Sequence, residues 1–357
     1  MAQRGCDVLV IGLGPAGASA AAAAARAGCS VIAIERKKVI GIPVQCAEFI
    51  PLPLARYANE AARAQPIAGM ATYLPSGERT ERAFSGLMIK RDKFDQALAR
   101  EAEVCGALLW TDSTLRTLQA TGRVAQVSTA GGLREIRYQV LVAADGPASA
   151  VAACLRLPRL ALVSTRQYTV PLLRAHGDTD IWLSPRYPGG YAWLFPKGTV
   201  ANLGLGLDPA LEADMKAPLD ELHALLAADG RVGREVLLRT GGPIPVGGLR
   251  ERLVEDRVLF CGDAAGFTHP VTGAGIAPAV ASGEAAGAAA AAWLAGDAAA
   301  LEAYEEEMRE QFDPALERAL AARRRMDAVW RSARREEDAA HRAGWIAFPE
   351  YFAKDTT

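Results

Sequence analysis

Short unbroken apolar runs alternate with small-residue stretches at the start of the chain. Residues 7–12 form an apolar run of strand length, 16–27 are Ala-rich helix formers, and 31–35 form a second run that ends in an acid. The pattern predicts a strand, turn, helix, strand unit. Residues 41–66 carry Pro43, Pro51, Pro53 and Pro66 and read as loop with short helical pieces. Strands are predicted at 71–74 and 86–90, followed by a helix of mixed charge over 92–105. Residues 108–111, 124–129 and 136–144 read as extended, with Gly131-Gly132 turning a hairpin between the last two.

From 160 to 207 the texture changes to β-branched and aromatic segments broken by Pro171, Pro185, Pro188-Gly189-Gly190 and Lys197-Gly198. This predicts an antiparallel sheet in a second lobe. A helix over 219–228 and a strand over 258–261 follow, then a glycine-rich turn and a long Ala-rich helix over 276–294. Residues 301–343 read as charged helix broken at Pro314, ahead of an aromatic tail of Trp345, Ile346, Phe348, Tyr351 and Phe352. The predicted class is α/β. Residues 1–66, 86–155 and 255–297 would form a discontinuous Rossmann-like nucleotide-binding domain. An antiparallel-sheet substrate domain (67–85 with 156–254) is inserted in it, and a C-terminal helical region (298–357) follows.

Gly12-Leu13-Gly14-Pro15-Ala16-Gly17 sits where the first strand meets its helix, and Glu35, followed by Arg36, closes the next strand. Such glycines let the backbone approach a pyrophosphate, the helix start offers free N–H groups, and the acid accepts from ribose hydroxyls. A dinucleotide is predicted. The motif alone does not separate FAD from NAD.

Two later segments make that separation. Val140 to Asp145-Gly146, continued by Pro147-Ala148-Ser149, and Val258-Leu259-Phe260-Cys261-Gly262-Asp263-Ala264-Ala265-Gly266 resemble the FAD-binding fold of the glutathione reductase and p-hydroxybenzoate hydroxylase type. The resemblance implies that Asp263 holds a ribityl hydroxyl. It also implies that Gly273, Ala274, Gly275 and Ile276 bring a helix start to the flavin's pyrimidine edge. Arg91, in Arg91-Asp92-Lys93-Phe94-Asp95, is similar to an arginine that reaches FAD in that family, and Val124 stands where relatives supply a backbone contact to adenine.

Pro188-Gly189-Gly190-Tyr191-Ala192-Trp193-Leu194-Phe195-Pro196 resembles the PxxYxWxFP signature of the geranylgeranyl reductase family, flavoproteins that saturate prenyl double bonds. Asn202-Leu203-Gly204-Leu205-Gly206 is also typical of them. Tyr191, Trp193 and Phe195 alternate along a strand and so point one way, where they can line an apolar slot. By that resemblance the chain is an FAD-dependent oxidoreductase acting on an apolar isoprenoid-like substrate, with Tyr191 and Trp193 at the reacting centre. A flavin monooxygenase of an aromatic substrate and a noncatalytic flavoprotein docking a partner protein stand as alternatives. A halogenase is disfavoured by the missing paired-Trp string.

Cys46 occupies the loop where relatives carry a cysteine near the flavin, but in the context Gln45-Cys46-Ala47-Glu48. It either faces the ring or is a small buried apolar residue. His269 lies beside the third motif as a candidate acid or a structural hydrogen-bonder. The run Arg323-Arg324-Arg325 with Trp330, Arg331, Arg334 and Arg335 is either a solvated helix face or a peripheral membrane contact; Glu336, Glu337 and Asp338 beside it favour the first.

Composition narrows the rest. The 357 residues are 50% hydrophobic and carry 40 Lys plus Arg against 41 Asp plus Glu, a net charge of -1. No field gathers nucleic acid phosphates. Six scattered Cys and four His give no zinc spacing and no disulfide framework, so no metal and a reducing cytoplasm are expected. No apolar run reaches a bilayer span. With no second GxGxxG unit, NAD(P)H would bind transiently, or a redox protein would deliver the electrons.

Overall fold

The computed structural model describes residues 3–119, 121–212 and 214–353. Its first sheet is built from the unbroken apolar runs. Val8–Ile11 lies between Val31–Ile34 and Val140–Ala143, all parallel; Leu108–Trp110 and Val258–Phe260 extend it, and Val254–Glu255 closes one edge antiparallel. Every residue of the three central strands is buried, which is why they read as continuous apolar runs rather than as alternation.

Helices Pro15–Arg26 and Ile276–Leu294 pack on this sheet and on each other. Their contact is made by small residues. A Cβ on Gly283 would lie 2.1 Å from the Ala16 carbonyl oxygen, and one on Gly287 2.3 Å from that of Ala20. Only glycine permits this spacing, and the close approach brings many small groups into van der Waals contact at once.

The second sheet has nine strands. In spatial order these are Leu238–Thr240, Leu162–Pro171, Val200–Leu207, Ala192–Lys197, Asp178–Trp182, Arg63–Tyr73, Arg79–Ile89 and Phe49–Pro51, with Pro243–Pro245 also on Leu162–Pro171. One face buries Leu194, Leu203 and Leu205 under Leu219, Leu222 and Leu226 of helix Lys216–Ala228. The other face carries Met70, Ile181 and Trp193 toward the C-terminal segment. A separate four-stranded sheet holds Gln3–Gly5, Gly132–Arg137, Val124–Thr129 and Thr114–Gln119.

Four expectations differ from what the fold does. The run 136–144 is two strands in two sheets, because the Gln139 and Val140 N–H groups both donate to Asp7 O where the chain crosses. The second-lobe sheet is not purely antiparallel, since Asp178–Trp182 runs parallel to Arg63–Tyr73. Pro314 does not break the last long helix. Ala300–Trp330 is continuous through it, with Tyr304 and Met308 buried before the proline and Leu316, Ala319 and Met326 after it. Packing on both sides outweighs the lost N–H. The nine-stranded sheet also takes in Phe49–Pro51 and the end of Arg79–Ile89, which the sequence division assigns to the nucleotide-binding part. The last four residues of the expected C-terminal region lie outside the described residues.

Candidate functional site

Parallel pairing brings the carboxyl ends of Val8–Ile11, Val140–Ala143 and Val258–Phe260 side by side, and with them the three glycine-bearing turns. Ala144 N–H donates to Ile11 O (2.9 Å), and Cys261 N–H to Ala143 O (3.1 Å). Gly12 has φ +98° and is so close to the second turn that a Cβ would lie 2.4 Å from Ala144 O; one on Gly262 would lie 2.8 Å from the Ala16 Cβ. The glycines are therefore what allows the turns to meet.

Glu35 reaches the first turn. Its Oε2 accepts from Leu13 N–H and its Oε1 from Lys37 N–H, both at 3.0 Å, while Arg36 beside it is exposed. Helix Pro15–Arg26 starts at Gly14 with no side-chain cap and no acid in its first turn, and nothing lies within 4 Å of a Cβ at Gly14. Its first turn is thus left without a side-chain acceptor or a carboxylate, which suits a diphosphate. Gly146 (φ +84°) is equally open. Asp145 Oδ2 caps Val151 N–H at 3.0 Å, whereas its Oδ1 is buried with no partner. Burial raises this carboxyl's pKa. An unmet buried acceptor costs about 1–3 kcal/mol, so a hydroxyl-bearing ligand here would relieve it. These features fit FAD.

Asp263 is held by Thr268, whose hydroxyl donates to Oδ1. Burial raises the Asp263 pKa, and the Arg91 charge works against that. A Cβ on Gly275 would lie 2.7 Å from Thr268 Oγ1 and 3.1 Å from Asp263 Oδ1, so glycine lets helix Ile276–Leu294 begin beside that carboxylate. Gly273 N–H donates to His269 O, and His269 N–H to Ala274 O. His269 Nδ1 accepts from the N–H groups of Thr272 (3.2 Å) and Val271 (3.4 Å), and Nε2 faces Tyr351 OH at 3.4 Å. The ring therefore organises the loop. Burial pushes its pKa down to about 4, which keeps it neutral.

Arg91 spends its fork on Asp95, at 2.9 and 3.0 Å, and its backbone N–H on Glu48 Oε1 at 2.8 Å. Its charge also bears on Cys46, whose thiol burial pushes above its ordinary value while Arg91 and the Glu48 N–H (3.2 Å from Sγ) pull it down. Val124 lies in the four-stranded sheet rather than on the sheet that carries the turns.

Across from the turns, Tyr191 OH donates to Thr272 O, tying the aromatic strand to the loop before helix Ile276–Leu294. Burial raises the Tyr191 pKa. Trp193 Nε1 donates to Gln167 Oε1 (3.1 Å), and Gln167 Nε2 to Cys46 O (3.0 Å). The Asn202 to Gly206 string acquires a physical meaning here. Asn202 Nδ2 donates to Glu48 Oε2 (2.8 Å) and Gly204 leaves room for the Trp193 indole, while the close approach at Gly206 is permitted by Gly190, whose Cβ would lie 2.0 Å from Gly206 O. Glu48 is 3% exposed, has φ 72°, and also accepts from Lys197.

Sequence reasoning passed over Glu48, Gln167 and Lys197. Their signal was faint: Glu48 lies in a loop, Gln167 in a polar stretch of its strand and Lys197 at a strand end, recognisable only once their partners are known. Of the arginine run, Arg323 is distinct. It donates to Gly189 O (3.1 Å) and Pro270 O (3.3 Å), while Arg331, Arg334 and Arg335 are exposed and Arg334 pairs with Glu337.

Residues 164–242 match the family described as the geranylgeranyl reductase catalytic domain. The chain is 35% identical over 339 residues to digeranylgeranylglycerophospholipid reductase 1 of Methanopyrus kandleri, covering 87% of this chain and 88% of that protein. A geranylgeranyl bacteriochlorophyll reductase-like protein from Thermoplasma acidophilum superposes with a TM-score of 0.86 at 25% identity, over 96% of this chain and 92% of that one. An aklavinone-11 hydroxylase, solved with FAD and aklavinone, shares the fold alone: TM-score 0.72 and 19% identity, over 99% of this chain and 72% of that one. No helix among the described residues is long and apolar enough to cross a membrane, and none of their His, Cys, Asp and Glu clusters could hold a metal.

Proposed function

The chain belongs to the geranylgeranyl reductase family of flavoproteins, and on that premise we propose that it uses FAD to saturate carbon–carbon double bonds of an apolar isoprenoid lipid. The observation that carries the reading is the meeting of three uncapped or glycine-opened turns with the strand that bears Tyr191, Trp193 and Phe195, joined through Thr272. The relatives named for digeranylgeranylglycerophospholipid support the substrate class.

In this proposal the start of helix Pro15–Arg26 (Gly14, Pro15, Ala16, Gly17) holds the diphosphate and Glu35 the adenosine ribose. Asp145, Gly146 and Asp263 take hydroxyls of the flavin chain, and Gly273 to Ile276 meet the pyrimidine edge. When bound, reduced FAD supplies a hydride to one carbon of the double bond. Cys46 holds the proton for the other carbon at Sγ. Its raised pKa keeps the thiol protonated at neutral pH, and Arg91 with the Glu48 N–H stabilises the thiolate left behind. His269 is a poorer acid, since burial keeps its ring neutral at working pH and only the imidazolium gives up a proton readily. Tyr191 and Trp193 orient the alkene and exclude water.

Electrons arrive from transiently bound NAD(P)H or a redox protein, and the lipid from a membrane surface by peripheral contact. Six free thiols support a reducing cytoplasm. The test is anaerobic turnover of the photoreduced yellow protein with geranylgeranyl lipids. Products gaining two hydrogens, with none incorporating oxygen when oxygen gas is admitted, support the reductase. Oxygen incorporation, or no reoxidation of the flavin by any alkene, refutes it.

A further inference from the structure

A row of aromatic rings has an exposed end and a buried end, and a part of the chain outside every recognised motif covers the buried one. Rings follow one another from Phe84, which is 36% exposed, to Phe49, Phe195, Trp193, Tyr191 and Trp345, with centroids 5.3, 6.3, 6.4, 5.7 and 4.8 Å apart. At the inner end Trp345 and Phe348, 3% and 1% exposed, cover Met70, Leu74, Ile181, Leu183 and Trp193.

This segment is moored, not draped. Asp338 accepts from Ser76 N–H (3.0 Å), Arg342 donates to Glu78 (2.6 Å) and lies over the Phe348 ring, and Tyr351 faces His269. The Trp345 indole N–H is nevertheless buried with no partner, which marks this packing as unfinished without a further group.

We propose that this row of rings lines the isoprenoid slot, and that Trp345 and Phe348 are its stop and set how much isoprenoid chain can pass the Tyr191 and Trp193 rings. The inference rests on the reading of the slot as the isoprenoid site. A moored aromatic wall rejects an added unit because the chain has nowhere to go and the wall cannot yield without breaking its anchors. Removing the indole vacates room for roughly one more unit, and burying even one extra methylene changes affinity by about tenfold or more.

The test uses the FAD-loaded full chain and equilibrium dialysis with geraniol, farnesol, geranylgeraniol and geranylfarnesol. The wild type should bind up to a limiting length and fall off beyond it. Trp345→Ala should move that limit outward by one unit, tightening the first rejected alcohol by roughly tenfold or more and leaving shorter ones within about threefold. Trp345→Phe should keep the wild-type limit. Flavin content and thermal midpoint check folding, and should Trp345→Ala fail to fold, Phe348→Leu carries the same comparison. A wild type without a length limit, or variants with the wild-type limit, overturns the stop while leaving the isoprenoid reading intact. Binding of none of the alcohols overturns the reading beneath it.

Discussion

Gly204 and Gly206 lie two residues apart on one strand, in one family-typical string, yet their surroundings predict opposite responses to the same added methyl. At Gly204 a Cβ would stand 2.4 and 2.6 Å from the Trp193 ring and 2.9 Å from Arg166 O. No rotation of alanine avoids this. Either the strand moves or the indole tilts, at about 1–3 kcal/mol for overpacking. A tilted indole also loses its bond to Gln167, worth about 1 kcal/mol more. At Gly206 the nearest atoms are Thr165 Cγ2 at 3.6 Å and Ser164 O at 3.8 Å, ordinary contact. Gly204→Ala should therefore cost about 2–4 kcal/mol, a fall in melting temperature of roughly 4–8 °C at about 2 °C per kcal/mol. Gly206→Ala should stay within about 0.5 kcal/mol. The assay is calorimetry at saturating FAD with near-UV circular dichroism to follow Trp193. A Gly204→Ala protein that melts with the wild type and keeps its aromatic spectrum, or a Gly206→Ala protein equally damaged, refutes the reasoning.

Gln167→Ala leaves the Trp193 donor buried and frees the Cys46 carbonyl, and urea unfolding should show a loss of about 1–3 kcal/mol. His269 takes its proton only near pH 4 in the fold against 6.5 ordinarily. Its stabilising preference for the neutral ring is therefore full above about 6.5 and is lost as pH falls from there through 4. The stability gap between wild type and His269→Asn should shrink by about 2 kcal/mol between pH 7 and 5, and a constant gap counts against the assignment. Gly283→Ala forces a methyl to 2.1 Å from Ala16 O and shifts the helix start proposed to meet the diphosphate. FAD affinity, read by flavin fluorescence on titration, should weaken roughly tenfold or more, the equivalent of about 1.4 kcal/mol.

The nucleotide-binding half was legible because its signals are local. A buried strand, a glycine turn and a small-residue helix each announce themselves within a dozen residues, and the 276–294 helix was read to its ends. The strand-to-strand crossing at Tyr138 and the parallel pairing of Asp178–Trp182 were not legible, since both are decided by partners far away in sequence. Pro314 misled for the opposite reason: a strong local signal was overridden by apolar packing on either side. In the site, Tyr191, Trp193 and the glycines carry recognisable strings. Glu48, Gln167 and Lys197 do not, because a buried polar residue becomes meaningful only through the groups it satisfies.

The glycine-spaced contact between helices Pro15–Arg26 and Ile276–Leu294 makes the pair behave as the jaws of a calliper. On the proposed reading the two helix starts would meet different parts of the prosthetic group, and the jaws are locked at Ala16 and Ala20 by the close approach of Gly283 and Gly287. The gauge is thereby fixed before anything is inserted. A flavin mononucleotide would still offer one phosphate to the first jaw and its ring to the second, and would leave only Glu35 without the ribose proposed for it.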